Sequence, residues 1–415
     1  MATAPAAVQY AVFDPQSLAD PYPGYALLHA EAPVYHDTAN NIFVVTKYDD
    51  VRRVVMHPEL FSSQIREMLR QHDPRMRAVE AVYKAEGWER VDTLSMSDPP
   101  THTRYRSMVA NWFTPGKMRG AEAHVDAVVT ELLDALIPAG RMDFMADFAV
   151  PMPIRVFAVQ LGVPRGEMDL FQRFGDAGIE AISMIIPPDR ELELARIGVE
   201  EQKYFAAKIE AYRAKPADLL ISDLANARDE NDELYTTAEL LSIIAILVLG
   251  GNETTTNALA TALWLMMATP GLEQQMRAEP QRIDLFIEEA LRYLSPVQGV
   301  FRVAAQDTEL GGVAIPKGAR VLIKFGAANR DAGNFQQADD FDPLRAAARR
   351  HLAFGAGIKH CIGAPLARLE MKVAFRRILE RVENIRPADP GFQPRFVPNM
   401  IVYGMKDLPI AFDRR

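Results

Sequence analysis

The stretch HLAFGAGIKHCIGAPLARLE, His351 to Glu370, holds the only cysteine of a 415-residue chain. Cys361 sits between Gly355-Ala356-Gly357 and Ile362-Gly363, directly ahead of a helix expected from Ala364 to about Val382. Glycines let a backbone curl tightly around a sulfur. A helix N-terminus and its neighbouring N–H groups stabilise a thiolate, the form of cysteine that binds metal. Taken by itself, a lone cysteine is more often a small buried packing residue. The pattern F-x-x-G-x-x-x-C-x-G, formed by Phe354, Gly357, Cys361 and Gly363, favours a metal ligand instead.

Two further groupings carry chemistry. Glu289 and Arg292 stand at i,i+3, so their side chains share one helix face. Alone, such a pair is a surface contact worth a few tenths of a kcal/mol. The second grouping is Gly250-Gly251-Asn252-Glu253-Thr254. It lies in the middle of a helix that Thr236 and Glu239 begin as a capping box and that Thr269-Pro270-Gly271 ends. About 32 residues at 1.5 Å each span about 48 Å, the width of a whole domain. The run SIIAILVL is apolar on nearly every side, which predicts burial. Glycine and threonine weaken the helix at its centre, where it also carries a carboxylate. A buried helix built this way calls for a functional reason.

These groupings must be positioned by the rest of the chain. Val34 to Thr46 reads as two short strands around Ala39-Asn40-Asn41. From residue 48 to about 295 the periodicity is helical, with long amphipathic stretches at about 120–137, 167–184, 190–213 and 281–293. Asp98-Pro99-Pro100 reads as a cap followed by helix-starting prolines. Strand signals return at 300–324 and in PRFVPNMIVYG. This is a mainly α chain with a small sheet built from both ends. Length alone allows two or three domains, but no linker, repeat or low-complexity segment divides the sequence. One domain over residues 15–415, after a flexible 1–14, is expected.

Composition narrows the function classes. Net charge is 46 − 55 = −9, which disfavours nucleic acid. One cysteine makes no internal disulfide, and MATAPAAVQY has no basic n-region, so a cytoplasmic location is expected. The longest apolar run, Ile243 to Leu249, falls far short of the roughly 18 residues that a membrane span needs, so no membrane anchor is expected.

The sequence FGAGIKHCIG resembles the cysteine loop of the cytochrome P-450 superfamily, F-G-x-G-x-[HR]-x-C-x-G, with Lys359 where His or Arg is usual. Glu289 and Arg292, about seventy residues earlier, match the family's E-x-x-R, and Ala327 to Arg345 matches its meander segment. Gly250 to Thr254 matches its [AG]-G-x-[DE]-T motif, and the resemblance runs from about residue 15 to 410. It implies the multihelical cytochrome P-450 fold, with the long central helix over a haem b held by the Cys361 thiolate. Phe354, Gly355, Gly363 and Gly250 would shape the haem site. His102, Arg106, Arg302 and His351 would bind its two propionates, which need several donors once out of water. Glu289 and Arg292 would be structural, locked to the meander. Reducing dioxygen and breaking its O–O bond consumes two protons. Thr254 would hold a water and pass protons, and Glu253 would feed them from solvent.

The implied reaction is O2-dependent hydroxylation of a hydrophobic small molecule, such as a terpenoid, steroid, fatty acyl or aromatic compound. A peroxide-driven peroxygenase and a silent haem ligand-binding protein are the alternatives, and Glu253 with Thr254 argues against both. Substrate contacts are expected from variable segments, among them Val297, Val300, Leu247, Met184 and Met400. Electrons would come from a separate iron–sulfur ferredoxin and its NAD(P)H-dependent reductase, acting on a monomer. Nine basic and two acidic residues between Arg345 and Arg381, a surplus of 9 − 2 = +7, suggest the docking face.

Overall fold

A computed structural model describes residues 10–183 and 185–415. Tyr10 and Val12 are buried, so the chain is packed from its first described residues, and the flexible segment expected over 1–14 is not seen there. Residues 1–9 lie outside the described part.

The helices form two packed groups. One gathers Pro115–Leu136, Glu253–Ala268, Ile283–Tyr293 and Ala364–Arg381. The other gathers Met168–Ala181, Pro188–Ala214 and Thr237–Gly251. Proline stands in the first turn of three of these seven helices, Pro115, Pro188 and Pro365, where its missing N–H costs nothing. The helix ends lie within a few residues of the periodic stretches read above.

The central helix departs from the expected single run. Its capping box forms, with Thr236 accepting from the Glu239 N–H and the Glu239 carboxylate accepting from the Thr236 N–H. It then stops at Gly251 and restarts at Glu253, with Asn252 at φ −104° and ψ −70° between the two segments. The weak helix formers break the ladder rather than merely loosening it. By length and composition, Phe144–Leu161 and Thr237–Ala268 are each apolar enough to cross a membrane. Their buried side chains are the core of the two helical groups.

Five short strands make the main sheet, in the order Val34–Asp37, Ile42–Val45, Arg320–Lys324, Gly299–Ala304, Phe61–Ser62. Ile42–Val45 runs parallel to Arg320–Lys324 and the other pairs are antiparallel. Helix Tyr48–Met56 covers one face through Val51, Val54 and Val55. The N-terminal residues and Met400 cover the other. A second sheet joins Arg141–Asp143, Pro409–Arg414 and Val382–Pro387, so both ends of the chain contribute strands as expected.

On the second face of the main sheet lies Lys324, wholly buried, its ammonium within reach only of the Met400 Sδ at 3.8 Å. Burial pulls its pKa down from 10.5 to about 8. Below pH 8 the ammonium is charged in both folded and unfolded chains and the folded state carries the full desolvation cost. Above 10.5 it is neutral in both and that cost vanishes, so stability rises between these values. Lys324→Met is therefore expected to raise stability at pH 7 by about 2–3 kcal/mol and to flatten this alkaline gain. Urea unfolding at pH 7 and pH 10 checks both effects.

Candidate functional site

The cysteine loop is shaped by two left-handed glycines, Gly355 at φ +66° and Gly357 at φ +65°. A Cβ on Gly357 would come within 3.0 Å of the Met56 Sδ and 3.2 Å of the Val55 carbonyl, so both conformation and space require glycine. The Cys361 N–H donates to the Phe354 carbonyl at 2.8 Å and closes the loop. The sulfur is exposed, yet burial pushes its thiol up, while the N–H groups of Gly363 and Ala364 and the charges of Arg106 and Arg368 pull it down. Burial is the larger effect, so the thiol is raised on balance; the opposing pull of the Gly363 and Ala364 N–H groups comes from the start of helix Ala364–Arg381.

Gly250 is exposed although it sits mid-helix in the core, and a Cβ there would meet nothing within 4 Å. Beside it the Thr254 hydroxyl donates to the Gly250 carbonyl at 2.9 Å. Glu253 accepts from the Asn257 amide at 2.9 Å, and burial pushes its pKa up. Segment Glu253–Ala268 packs directly on helix Ala364–Arg381, and Thr255 hydrogen-bonds Glu370 across that contact. Gly250 and Cys361 are both exposed, each just ahead of one of these two packed segments.

Around the cysteine loop the positive charge exceeds the negative. Arg106, Arg302 and Lys359 act on one another, and Asp98 is the one acid whose charge reaches them. Burial and these cations bring Lys359 down to about 7, burial brings Arg302 to about 10, and burial with Lys359 and Arg106 brings His102 to about 4. The His102 Nδ1 is buried and has no partner. Arg106, Arg302 and the depressed Lys359 outweigh Asp98, which fits a group bearing carboxylates. Haem b, with an open thiol below and its propionates here, suits these residues.

The charges of Arg106 and Arg302 both bear on Lys359, and that of Arg106 on His102. The His351 Nδ1 accepts from the Ala353 N–H at 3.1 Å, and its buried Nε2 lies 3.3 Å from Glu288 without forming a hydrogen bond. That nitrogen is left for an acceptor such as a propionate. Lys359, which stood out only as a departure from the family pattern, joins the cationic group. Its ammonium donates to the Leu94 carbonyl at 2.7 Å and to the Ser97 carbonyl. Asp98 does not cap the helix Thr101–Ala110 with its side chain. Its carboxylate accepts from the Ser62 hydroxyl at 2.6 Å and the Ser63 N–H at 3.0 Å.

Behind the loop, Glu289 and Arg292 are both fully buried and joined by two bonds of 2.7 and 2.8 Å. Arg345 adds a third bond to Glu289 at 3.0 Å. Arg292 also donates to the carbonyls of Asn329, Ala338 and Asp340. The pair is thus fastened to the meander. Next to it Glu288 is held down at about 2: burial would raise it, but Arg368 and His351 outweigh burial.

Of the residues expected at the substrate, Val297 and Val300 are half-buried. Leu247 and Met400 are core side chains, 7% and 0% exposed. Met184 lies outside the described residues. Four expected variable segments meet in one apolar cluster, through Ile65, Ile185, Phe301 and Met400 with Ile401.

The basic surplus shrinks in three dimensions. Arg345, Arg368, Lys372, Arg376, Arg377 and Arg381 pair with acids on other helices or, for Arg377, also on their own. Counting charges along one segment could not show partners from elsewhere. Arg349, Arg368 and Lys372 do line one surface groove of about 410 Å³. Sequence reasoning also passed over Glu370, a fully buried carboxyl whose pKa burial drives far up. Its signal was an acid set inside the apolar stripe Met371, Val373, Ala374 and Phe375.

A family profile described as cytochrome P450 matches residues 195–402. The cytochrome P450 monooxygenase PikC of Streptomyces venezuelae is 34% identical over 403 residues, covering 95% of this chain and 92% of that protein. The structure of cytochrome P450 CREJ in complex with (4-ethylphenyl) dihydrogen phosphate superposes with a TM-score of 0.89 at 29% identity, over 97% of this chain and 99% of the other. CYP109E1 from Bacillus megaterium in complex with testosterone gives 0.83 at 28%, over 96% and 99%.

Proposed function

This chain belongs to the cytochrome P450 family and is a haem-thiolate monooxygenase, and from that premise we propose that it hydroxylates a C–H bond of an apolar small molecule of about steroid size, in the cytoplasm, with electrons from a separate ferredoxin. The balance is R–H + O2 + 2 H⁺ + 2 e⁻ → R–OH + H2O. When bound, the haem supplies dioxygen binding and O–O cleavage, which a cysteine thiolate ligand favours.

The chain's own residues do the rest. Cys361 offers its sulfur from the helix N-terminus, while Arg106, Arg302, Lys359 and His102 hold the two propionates. Thr254 breaks from the Gly250 carbonyl to hold a water, and Glu253 replenishes the proton that this hydroxyl passes on. The observation that carries the reading is the exposed Cys361 in its two-glycine loop at the N-terminus of helix Ala364–Arg381, which packs on the segment that starts just after the exposed Gly250.

An apolar guest is supported by the cluster of Ile65, Ile185, Phe301, Met400 and Ile401, with Lys324 beside Met400. A steroid is the guest in the CYP109E1 complex. The groove lined by Arg349, Arg368 and Lys372 together with Asp284 and Glu288 carries a surplus of 3 − 2 = +1, which supports docking of an acidic ferredoxin there.

The test is turnover with a ferredoxin, its reductase and NADPH against a panel of steroids, terpenoids and fatty acids. One hydroxylated product per NADPH is expected for the preferred guest, and no product from any apolar class would overturn the reading. Thr254→Ala is expected to keep NADPH consumption within about threefold while product per NADPH falls on the order of tenfold and peroxide appears. An unchanged ratio would remove Thr254 from proton delivery.

A further inference from the structure

Between helix Met168–Ala181 and the break at Asn252 lies a small cavity of about 10 Å³, room for one water molecule. Gln172, Gly175, Asp176, Asn252, Glu253 and Thr256 line it, together with an apolar wall. Asp176 is exposed on its other side, whereas Glu253 is half-buried. Asn252 is 6% exposed, and neither its amide nitrogen nor its amide oxygen has a partner. A buried amide with both ends unsatisfied beside a water-sized void is a site built to hold a water. The cavity is tight against that amide, since a Cβ on Gly175 would come within 3.4 Å of its nitrogen.

We propose that Asp176 is a second acid of the proton path: it takes protons from bulk water and passes them to Glu253 through one water held by the Asn252 amide. This rests on the role given to Glu253 above and names the group that supplies it.

The electrostatics suit a shared proton. Burial raises both carboxyls, and the only charge bearing on Glu253 is that of Asp176, which raises it further. No cation offsets the pair. Arg173, on the same helix, is bound to Glu200, and Arg190 is bound to Glu180 and Glu193. Gln172 bonds Asp176, Asn257 bonds Glu253, and the Thr256 hydroxyl is turned to the Ala149 carbonyl. Two acids around one water, with no cation between them among the described residues, favour holding a proton between them. In each transfer a carboxylic O–H breaks at the donor as a water O–H forms, and a second water proton leaves for the Glu253 carboxylate. No electrons move.

The test uses the haem-loaded enzyme in two readouts. Infrared pH titration follows the carboxylic C=O band, assigned to Glu253 by its loss in Glu253→Gln. Asp176→Asn removes the neighbouring charge, so the midpoint of that band is expected to fall. Asp176→Asn is also expected to slow coupled turnover on the order of tenfold and to enlarge the solvent deuterium isotope effect, with Asp176→Glu restoring both. An unshifted band with unchanged turnover in Asp176→Asn overturns the proposal. If Glu253→Gln impairs coupling while Asp176→Asn does not, Asp176 is excluded and the Glu253 role stands. If neither does, both fall.

Discussion

Cys361→Ser is expected to give a folded protein that has lost the red-shifted ferrous–CO band and all turnover. The loop does not depend on the sulfur for its shape. Gly355 and Gly357 hold the left-handed backbone, and the bond from residue 361 to the Phe354 carbonyl is main chain. A hydroxyl keeps the volume but stays protonated where a thiol ionises, so the axial charge is lost. Visible spectra of the reduced, CO-treated variant, alongside its far-ultraviolet circular dichroism, separate loss of the ligand from loss of the fold. A variant with the unaltered band would take Cys361 out of the haem site.

Arg292→Ala is expected to be the more damaging change to the fold. It would leave Glu289 charged and fully buried beside Arg345 alone, and would strip a donor from the carbonyls of Asn329, Ala338 and Asp340. Breaking a buried pair in this way costs about 3–5 kcal/mol. Each buried carbonyl left unsatisfied adds about 1–3 kcal/mol. Against a total stability of about 5–15 kcal/mol the variant should barely fold. Arg292→Lys should rescue little, because one ammonium cannot make a two-pronged bond to Glu289 and still reach three carbonyls. Soluble yield, urea midpoint and bound haem per chain measure the effect. A midpoint within experimental scatter of the unmodified protein would contradict the structural role.

How much of this could be read from residues alone depended on how local the cause was. The capping box of Thr236 and Glu239, the glycines around Cys361 and the shared face of Glu289 and Arg292 are short-range facts, and all appear in the structure. The break at Asn252 was half visible. Its weak helix formers were evident, but whether they loosen or interrupt a helix depends on packing, here Gly251 against Phe157 and Gly175 against Asn252. Contacts between distant segments left no mark. Asp98 reads as a cap because prolines follow it, yet Ser62 and Ser63 claim its carboxylate. Arg376 and Arg377 read as free surface charge, yet Asp126, some 250 positions earlier, pairs with both. His351 reads as a propionate donor, and only the structure shows that Glu288 also lies 3.3 Å from its Nε2.

The apolar cluster that joins Ile65, Ile185, Phe301, Met400 and Ile401 shares no side chain with the buried arginine–glutamate knot behind the cysteine. Accommodation of a new guest and retention of the oxidising machinery are therefore separable tasks in this chain. Were that cluster to receive the guest as proposed, substitutions at Ile65, Ile185, Phe301, Met400 and Ile401 would retune selectivity while the catalytic chassis stays as it is.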